Sequence, residues 1–403
     1  MKETGFILKI LFNNADYREI GEILSAERDW PAVLAECLRE GVAPLFYYRI
    51  MKRGWEVNLP AEVLDQFKTL FRQTIRLNSE AITCLGMIKR SFDAGGIPWI
   101  VLKGIALAET VYPHFALRPA SDIDVLVPRR DFLKAHAALS SMGYRAVDSL
   151  PGEALGNPEG YLASVEYRND SDSPPIHLHW HPVNTSTPAP FARAIDIEAL
   201  WNNSRAVLIG GVRSRIFLPE HLLMYLCEHA LRVGHSFDRL NLICDIQHTV
   251  LAYQKEIDWT RFTHECRSSG LSRFAYLALE IVRKHSGLRA LDEPIAMLKP
   301  GRLRAGERLF LRLQLAGKRI RGSSFLLYLG ANEGIRAKAQ FLLKTFFPPR
   351  SVLKQKNYQG RLPFRYALYL RRLIEVTGHL AYVLRRALSR PKRTEGMSGE
   401  KKP

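Results

Sequence analysis

Residues 121–127 read SDIDVLV, with two aspartates, Asp122 and Asp124, set among aliphatic residues. This alternation has a period of two. It predicts a β-strand with both carboxylates on one face, while Ile123 and Val125 point into the core. Two carboxylates held that close repel each other unless a cation neutralises them. The usual solution is a hard divalent cation, most often Mg²⁺, with a substrate phosphate on its other side. Residues 121–127, called the D-x-D strand below, therefore predict a cation site at the rim of a small sheet.

The chain just before the D-x-D strand supplies groups that suit a phosphate. Residues 101–104, VLKG, read as a strand that runs into a turn at Lys103 and Gly104, and Arg118 lies four residues before Asp122. Lysine neutralises a phosphate as a point charge, and arginine clamps one bidentately. A metal on the two aspartates would hold the β- and γ-phosphates of a nucleotide and polarise its α-phosphorus. The alternative is structural: solvated aspartates, a lysine that reaches solvent, and a salt bridge from Arg118 to one of the aspartates.

Composition indicates a folded, cytoplasmic protein. The chain has 403 residues, enough for two or more domains, and 47% of them are hydrophobic. No apolar run approaches the roughly 18 residues of a transmembrane segment. The five cysteines are scattered and form no C-x-x-C pair. This pattern predicts buried free thiols in a reducing compartment rather than disulfides or a zinc site.

The positive charge is concentrated at the C-terminal end. Residues 301–403 hold 24 Lys and Arg against five Glu and no Asp, whereas residues 1–300 hold 34 basic and 35 acidic residues. Such a region attracts nucleic acid, an anionic membrane surface or an acidic partner. Within residues 365–390, one predicted helix face carries Leu370, Leu373, Ile374, Leu380 and Leu384, flanked by Arg371, Arg372, Arg385 and Arg386. We favour packing of this face, and an interfacial membrane helix or an RNA-binding face are the alternatives.

Periodicity divides the chain into four regions. Residues 1–95 read as helices, 96–218 as a mixed α/β core, 219–300 as a helical domain that closes a cleft, and 301–403 as a basic helical region with a disordered tail from Lys392. Apolar residues at helical spacing predict one long helix over 61–94. In the core, 161–168 and 176–180 read as strands joined by a turn-rich hairpin loop, and 206–209 and 214–218 as a further hairpin. The predicted fold class is α+β.

The order of motifs resembles a known family. Those motifs are, in chain order, Leu102-Lys103-Gly104, Tyr112, Arg118, DIDVLV at 122–127, Leu139, Gly143-Tyr144, IHLHW at 176–180, LPE at 218–220, LCEH at 226–229, His235, Leu240 and Asp245-Ile246. Over residues 30–290 the chain is similar to the uncharacterised nucleotidyltransferase family, within the DNA polymerase β-like nucleotidyltransferase superfamily. The resemblance implies a minimal nucleotidyltransferase core, a small mixed sheet with flanking helices, between a helical N-terminal region and an all-helical C-terminal region. It also implies that Asp122 and Asp124 are metal ligands, and that Lys103 and Gly104 stand at the phosphate-binding turn.

The chain departs from the superfamily pattern at the third carboxylate. The matching position is His177, and an imidazole is a poorer Mg²⁺ ligand than a carboxylate. His177 would then act as a general base, since an unperturbed histidine titrates near neutrality, or Glu166 on the paired strand would substitute as the acid. Weakened or lost catalysis is the remaining alternative. His177, His179 and His181 also form an H-x-H-x-H run that could bind a transition metal, although we favour His179 as a hydrogen-bonded structural residue.

The downstream helices complete the predicted site. His229 and Asp245 match family positions, so they would line the cleft opposite the D-x-D strand, and helix packing is the alternative. The resemblance implies an enzyme that uses Mg²⁺ or Mn²⁺ to move a nucleoside monophosphate from an NTP to a hydroxyl acceptor. In this prediction Lys103, Gly104, Arg118 and His229 bind the nucleotide. The alternatives are a nucleotide-binding or adapter protein with little catalysis, and a nucleic-acid or membrane-surface binder that acts through residues 301–403.

Overall fold

Helices precede the sheet and enclose it. The computed structural model describes residues 2–12, 28–147, 163–170, 173–183, 195–332, 334–347 and 365–388, and the elements below are numbered within this part of the chain. The N-terminal helices are α1 (Lys2–Phe12), α2 (Trp30–Arg39), α3 (Ala43–Lys52) and α4 (Ala61–Ala94). Helix α4 has the predicted bounds, and it ends where Gly95 and Gly96 follow, the latter with a φ of 61°.

The central sheet is small and mixed, as predicted. Its five strands lie in the order β1, β2, β5, β4, β3. They are β1 (Ile100–Val101), β2 (Ile123–Leu126), β3 (Arg145–Ala146), β4 (Ser164–Arg168) and β5 (Ile176–His179). Strand β2 runs parallel to β5 and antiparallel to β1, while β4 pairs antiparallel with β5 as the predicted hairpin. Helices α5 (Ile105–Thr110) and α6 (Phe132–Ser141) follow β1 and β2.

A separate hairpin lies against the long helix. Helix α7 (Ile197–Asn202) leads into β6 (Ser204–Ile209) and β7 (Val212–Phe217), which form a two-stranded antiparallel sheet. Gly210 and Gly211 make the turn with φ values of 53° and 82°, as a tight two-residue hairpin turn requires. A Cβ on Gly210 would lie 2.5 Å from Ile82 of α4, so only glycine fits there. The prediction of this hairpin is confirmed, with each strand beginning two residues earlier than expected.

The chain after β7 is helical throughout its described part, as predicted. The helices are α8 (Pro219–Ala230), α9 (Leu240–Tyr253), α10 (Trp259–Ser268), α11 (Ser272–Ser286), α12 (Asp292–Leu298), α13 (Ala305–Leu315), α14 (Phe325–Ala331), α15 (Gly334–Phe346) and α16 (Arg365–Leu388). All twelve residues of α8 are buried. None of the described helices is long and apolar enough to cross a membrane.

Two hydrophobic clusters hold these parts together. One cluster joins the sheet to the second half of α4, and the other joins α1–α3 to α8–α11. The N-terminal and C-terminal helices thus share a core, while the predicted domain boundaries stay predictions. All five cysteines are buried free thiols, which confirms that prediction: Cys37, Cys84, Cys227, Cys244 and Cys266. The tail predicted to be disordered, 392–403, lies outside the described residues.

The apolar face of α16 departs from the expectation. We expected this face to pack, but Leu370, Leu373 and Ile374 are exposed. The helix instead buries Val383 on its opposite side, and the side chains of Leu380 and Leu384 lie outside the described set. The packing interpretation is therefore wrong for the three described residues, because the helix contacts its neighbour through its other face.

Candidate active site on one face of the sheet

Strand register places three polar residues in one row. Asp124 of β2 lies opposite His177 of β5, and His177 lies opposite Glu166 of β4. Side chains at paired positions of adjacent strands project on the same face. The row therefore crosses the three central strands, with the buried Asp124 at one end and the half-buried His177 and Glu166 beyond it.

The His177 imidazole lies between acidic groups. Its Nδ1 is 3.7 Å from Asp122 Oδ2 and 3.8 Å from Asp124 Oδ1, and its Nε2 is 3.7 Å from Glu166 Oε2. These distances exceed those of hydrogen bonds, so the ring is surrounded by negative charge without being tied to one partner. Because the side chain is 32% exposed, a substrate can reach it. One imidazole therefore faces the D-x-D carboxylates on one side and a third carboxylate on the other.

Lys103 bridges the two D-x-D carboxylates. Its ammonium group forms a close ion pair with Asp124 and lies 3.8 Å from Asp122 Oδ2. Burial alone would lower the pKa of Lys103, but the charges of Asp124 and Asp122 outweigh burial and raise it above its ordinary value. Burial likewise acts to raise the pKa of Asp124, yet Lys103 and the hydrogen bond from His179 hold it well below its usual range. Both groups are therefore charged at neutral pH.

The turn after β1 brings the lysine to this position. Gly104 has a φ of 63°, a conformation that favours glycine. A Cβ at this residue would lie 3.2 Å from the Asp122 carbonyl oxygen and 3.9 Å from Arg118 Nη1. Glycine therefore allows the turn to pass close to the D-x-D strand, and phosphate binding by this turn stays a prediction.

His179 supports Asp124 from the neighbouring strand. Its Nε2 lies 3.0 Å from Asp124 Oδ1, and its side chain is buried. Burial lowers the pKa of His179, so the ring is neutral and its Nε2–H donates to the carboxylate. The expected structural role of His179 is consistent with this contact. Its Nδ1 has no hydrogen-bond partner among the described residues.

The H-x-H-x-H run does not form a three-histidine site in this structure. His181 lies beyond the end of β5, and its Nδ1 accepts a hydrogen bond from the backbone N–H of Val183 at 3.1 Å. The side chains that converge are instead Asp124, His177 and His179, whose ligand atoms all lie within 4.8 Å of one another. A transition-metal site, the alternative that we considered from the sequence, would therefore use His177 and His179 together with Asp124 instead of His181.

Arg118 is held by Asp245, a residue that we predicted either to line the cleft or to take part in helix packing. Its Nε and Nη2 donate to the two carboxylate oxygens of Asp245 on α9, at 3.1 and 3.0 Å, and Tyr112 donates to the same carboxylate at 2.8 Å. The alternative of a salt bridge to Asp122 or Asp124 is wrong, because the guanidinium pairs with Asp245 instead. Arg118 and Asp245 are both buried, so this pair fastens α9 to the chain that enters the D-x-D strand. The predicted role of Arg118 in nucleotide binding stays a prediction.

Asn78 on α4 is a positioning residue that sequence reasoning missed. Its side chain donates to the carbonyls of Phe115 and Arg118 at 2.6 and 3.0 Å and accepts from the backbone N–H of Ala120 at 3.0 Å. These three bonds fix the loop that carries Arg118 towards β2. The available signal was a polar residue within the apolar stripe of the predicted long helix, where a buried amide needs partners.

Helix α8 forms the other wall of the site. Tyr225 and His229 lie one turn apart and are buried, and neither the Tyr225 hydroxyl nor His229 Nδ1 has a hydrogen-bond partner among the described residues. Burial lowers the pKa of His229 well below its usual value, and His235, Arg232 and Lys103 lower it further. Burial raises the pKa of Tyr225 to about 12. His229 is therefore a neutral side chain on the wall that faces Lys103, and its role in nucleotide binding stays a prediction; sequence reasoning missed Tyr225.

The donor set on this face of the sheet suits a divalent cation. Asp122 and Asp124 each lie near both Lys103 and His177, while the ligand atoms that lie within 4.8 Å of one another are those of Asp124, His177 and His179. Carboxylate oxygens are the preferred ligands of Mg²⁺ and Mn²⁺, and an imidazole is better tolerated by softer metals. Two carboxylates with one adjacent imidazole thus fit the predicted cation, with Lys103 as its competitor for Asp124.

Comparison with known proteins gives the family of the chain. Residues 26–287 match the family model described as an uncharacterised nucleotidyltransferase. This match spans more than half of the chain, and the chain belongs to that family. Among solved structures, the antibiotic-resistance factor ANT(2'')-Ia is similar with a TM-score of 0.33 and 15% identity, over 50% of this chain and 96% of that one. None of the curated proteins compared with the chain matches it.

Proposed function

We propose that the protein transfers a nucleoside monophosphate from an NTP to a hydroxyl acceptor, with Mg²⁺ or Mn²⁺ as cofactor. Family membership supports the class of reaction. The observation that carries the proposal is that Asp122 and Asp124 each lie beside both Lys103 and His177 on one face of the sheet, where Asp122 and His177 are partly exposed. In this reaction the acceptor oxygen forms a bond to the α-phosphorus, the bond from that phosphorus to the bridging oxygen breaks, and pyrophosphate leaves.

Asp122 and Asp124 are the residues that would hold the cation. When bound, a divalent cation neutralises phosphate charge and stabilises the charge that develops on the reacting oxygens. Asp124 suits this role because it is fixed by His179 and stays ionised, as its lowered pKa indicates. Asp122 is more exposed and can turn towards a ligand.

His177 is the candidate general base. Its Nδ1 faces the D-x-D carboxylates, and its Nε2 faces Glu166. A proton taken from the acceptor hydroxyl on Nδ1 would give an imidazolium, and the Glu166 carboxylate would stabilise its Nε2–H. His177 and Glu166 together would then supply what a third carboxylate supplies in the superfamily pattern.

Four residues form the nucleotide side of the proposal. Lys103 and Gly104 lie at the turn next to the D-x-D strand, Arg118 Nη1 approaches that turn, and His229 lies on the facing wall. On nucleotide binding, the Lys103 ammonium would leave its carboxylate partner and pair with a phosphate oxygen, so the ammonium would still face a negative charge. The backbone at Gly104 would approach the phosphates closely because no Cβ intervenes.

Labelled NTPs test the proposal directly. We expect label transfer to an acceptor in cell extract or to the protein itself with Mg²⁺ or Mn²⁺, and a loss of at least about 10²-fold in Asp122→Asn. Asp122 is the preferred target because it is partly exposed, so its loss leaves the fold intact. The exposed Asp93→Asn on α4 is the matched control. Equal transfer by the wild type and Asp122→Asn would refute the assignment.

A nucleotide-binding protein without turnover is the second candidate. It is favoured by one observation: the register partner of Asp124 on β5 is His177, where the superfamily pattern has a carboxylate. This candidate predicts metal-dependent NTP binding that Asp122→Asn weakens, with no pyrophosphate release by the wild type. The same labelled NTPs, read by equilibrium binding and by pyrophosphate assay, separate the two functions.

A further inference from the structure

Helices α15 and α16 expose large apolar side chains. Of the fifteen large hydrophobic residues that are exposed in the described chain, seven lie in α15, in α16 or directly after α15. They are Ile335, Leu343, Phe347, Leu370, Leu373, Ile374 and Tyr382. Ile335 is 88% exposed and Ile374 is 63% exposed, values far above those of core residues. Such a concentration on one part of a surface marks an interaction site.

The exposed residues of α16 form a continuous stripe. Leu370, Leu373 and Ile374 are followed by Thr377 and Ala381, also exposed, so the spacing from Leu370 is three, four, seven and eleven residues. This spacing places them on one face of a helix. Val383, the buried residue among the described side chains of α16, lies on the opposite side of the helix from this stripe.

Helix α15 continues the same kind of surface. Ile335, Ala339 and Leu343 are exposed at steps of four residues, and Phe347 follows at the next step. The Phe347 ring lies 6.0 Å from the ring of Tyr369 on α16, which joins the two helices. This contact makes the two helices neighbours, and their exposed residues are together called the α15–α16 surface.

Basic side chains border this surface. Residues 334–347 and 365–388 contain eight Lys and Arg and one acidic residue, Glu375. Glu375 accepts a hydrogen bond from Arg371 at 3.0 Å, and the surface keeps a strong excess of positive charge. The described basic side chains at positions 336, 338, 344, 371 and 385 are all exposed. An amphipathic helix with this composition is typical of the interface between water and an anionic lipid bilayer.

We propose that the α15–α16 surface docks on an anionic membrane surface. The apolar stripe would enter the boundary between headgroups and acyl chains, and the arginines and lysines would contact lipid phosphates. A lipid surface uses both features, whereas a nucleic acid backbone offers nothing apolar to contact Ile335, Leu370 or Ile374. A symmetric contact with a second copy would bring two strongly basic faces together, which Coulomb repulsion opposes.

Vesicle sedimentation of the full chain tests this docking. We expect binding to vesicles of phosphatidylcholine mixed with phosphatidylglycerol, and binding weaker by about tenfold or more to phosphatidylcholine alone or at high salt. Leu370→Gln/Ile374→Gln should weaken binding by about tenfold or more, since both side chains lie in the stripe. Leu133→Gln/Leu208→Gln is the matched control, because these leucines are equally exposed elsewhere on the protein.

Three outcomes would overturn the proposal. The first is equal binding to neutral and anionic vesicles, and the second is binding that Leu370→Gln/Ile374→Gln leaves unchanged. The third is a dimer in sedimentation velocity that this double variant dissociates, with no vesicle binding, which would assign the surface to a second copy. The measurement is independent of nucleotide transfer, so its result stands whatever the labelled NTPs show.

Discussion

The ammonium group of Lys103 takes the place of a cation between the carboxylates of Asp124 and Asp122. It pairs closely with the first and lies 3.8 Å from the second. The lysine therefore neutralises the repulsion that the D-x-D strand would otherwise carry in the absence of a metal. A divalent cation must compete with this internal charge, whereas a nucleotide phosphate can attract the lysine away. Metal and nucleotide are thus expected to favour each other's binding.

Lys103→Met is expected to raise the affinity for Mn²⁺ and to lower the affinity for NTP. Removal of the ammonium leaves Asp122 and Asp124 without their cation, so Mn²⁺ should bind about tenfold more tightly in the absence of nucleotide. NTP should bind more weakly, because a phosphate partner is lost. Titration calorimetry measures both. Lys134→Met, at an exposed lysine 3.2 Å from Asp131, is the control. Unchanged or weaker Mn²⁺ binding by Lys103→Met would contradict the competition.

Substitutions of His177 test whether this residue acts as a general base or only occupies the position of a metal-binding carboxylate. His177→Ala should lower kcat by about 10²-fold, since it removes the group between Asp122 and Glu166. His177→Asp restores the carboxylate of the superfamily pattern, so it should retain more activity than His177→Ala and should bind Mg²⁺ more tightly than the wild type. Steady-state kinetics and Mg²⁺ titration provide the readouts. If both variants and the exposed His264→Ala behave alike, His177 has no special role.

Local periodicity explains which parts of this fold can be predicted. The long helix, the D-x-D strand and the hairpin of β4 and β5 follow from spacing and turn residues, and the chain places them within a few residues of the predicted bounds. Prediction of the row of Asp124, His177 and Glu166 also depends on the parallel pairing of β2 with β5. Local spacing does not give this pairing; the family resemblance indicated it by matching His177 to the third carboxylate.

Contacts between distant parts of the chain explain the rest. Arg118 and Asp245 are 127 residues apart, and no local pattern indicates that one carboxylate would accept from both Arg118 and Tyr112. The stripe of α16 was visible in the sequence, but its exposure depends on which face meets a neighbouring helix. Spacing gives the face of a helix, whereas tertiary packing decides whether water or protein covers it.

The pair of Arg118 and Asp245 should have a large effect on stability. Asp245→Asn leaves a buried guanidinium without its counter-ion, so the free energy of unfolding should fall by about 3–5 kcal/mol. Arg118→Met/Asp245→Leu removes both charges and should recover most of that loss, because burial of each ion carries its own desolvation cost. Urea unfolding measures the three proteins.

The double variant also tests the place of Arg118 at the nucleotide. If Arg118→Met/Asp245→Leu is stably folded but binds NTP more weakly than the wild type, the predicted contact between Arg118 and a phosphate is supported. The loss cannot then be ascribed to an unpaired Asp245, because that carboxylate is also removed. If Arg118→Met/Asp245→Leu instead binds NTP as tightly as the wild type, Arg118 is a structural residue only.

Buried histidines should make the protein sensitive to acid. His248 stacks on Tyr112 with ring centroids 4.3 Å apart, and burial together with the Arg49 guanidinium lowers its pKa from 6.5 to about 4. The folded chain therefore keeps this ring neutral while the unfolded chain takes up a proton. The contribution of neutral His248 to the free energy of unfolding is fully present above about pH 6.5. It is lost as the pH falls towards 4, and about 2 kcal/mol of it is lost at pH 5.

His248→Phe keeps a stacked ring and removes this titration. The free energy of unfolding, measured in urea at pH 7 and pH 5, should fall less for the variant than for the wild type, by about 2 kcal/mol. The remaining fall in the variant reports other imidazoles whose pKa is lowered, such as the half-buried His235, whose pKa burial and Arg232 lower to about 3. An identical pH dependence in both proteins would show that His248 is already protonated in the folded state or is solvated there.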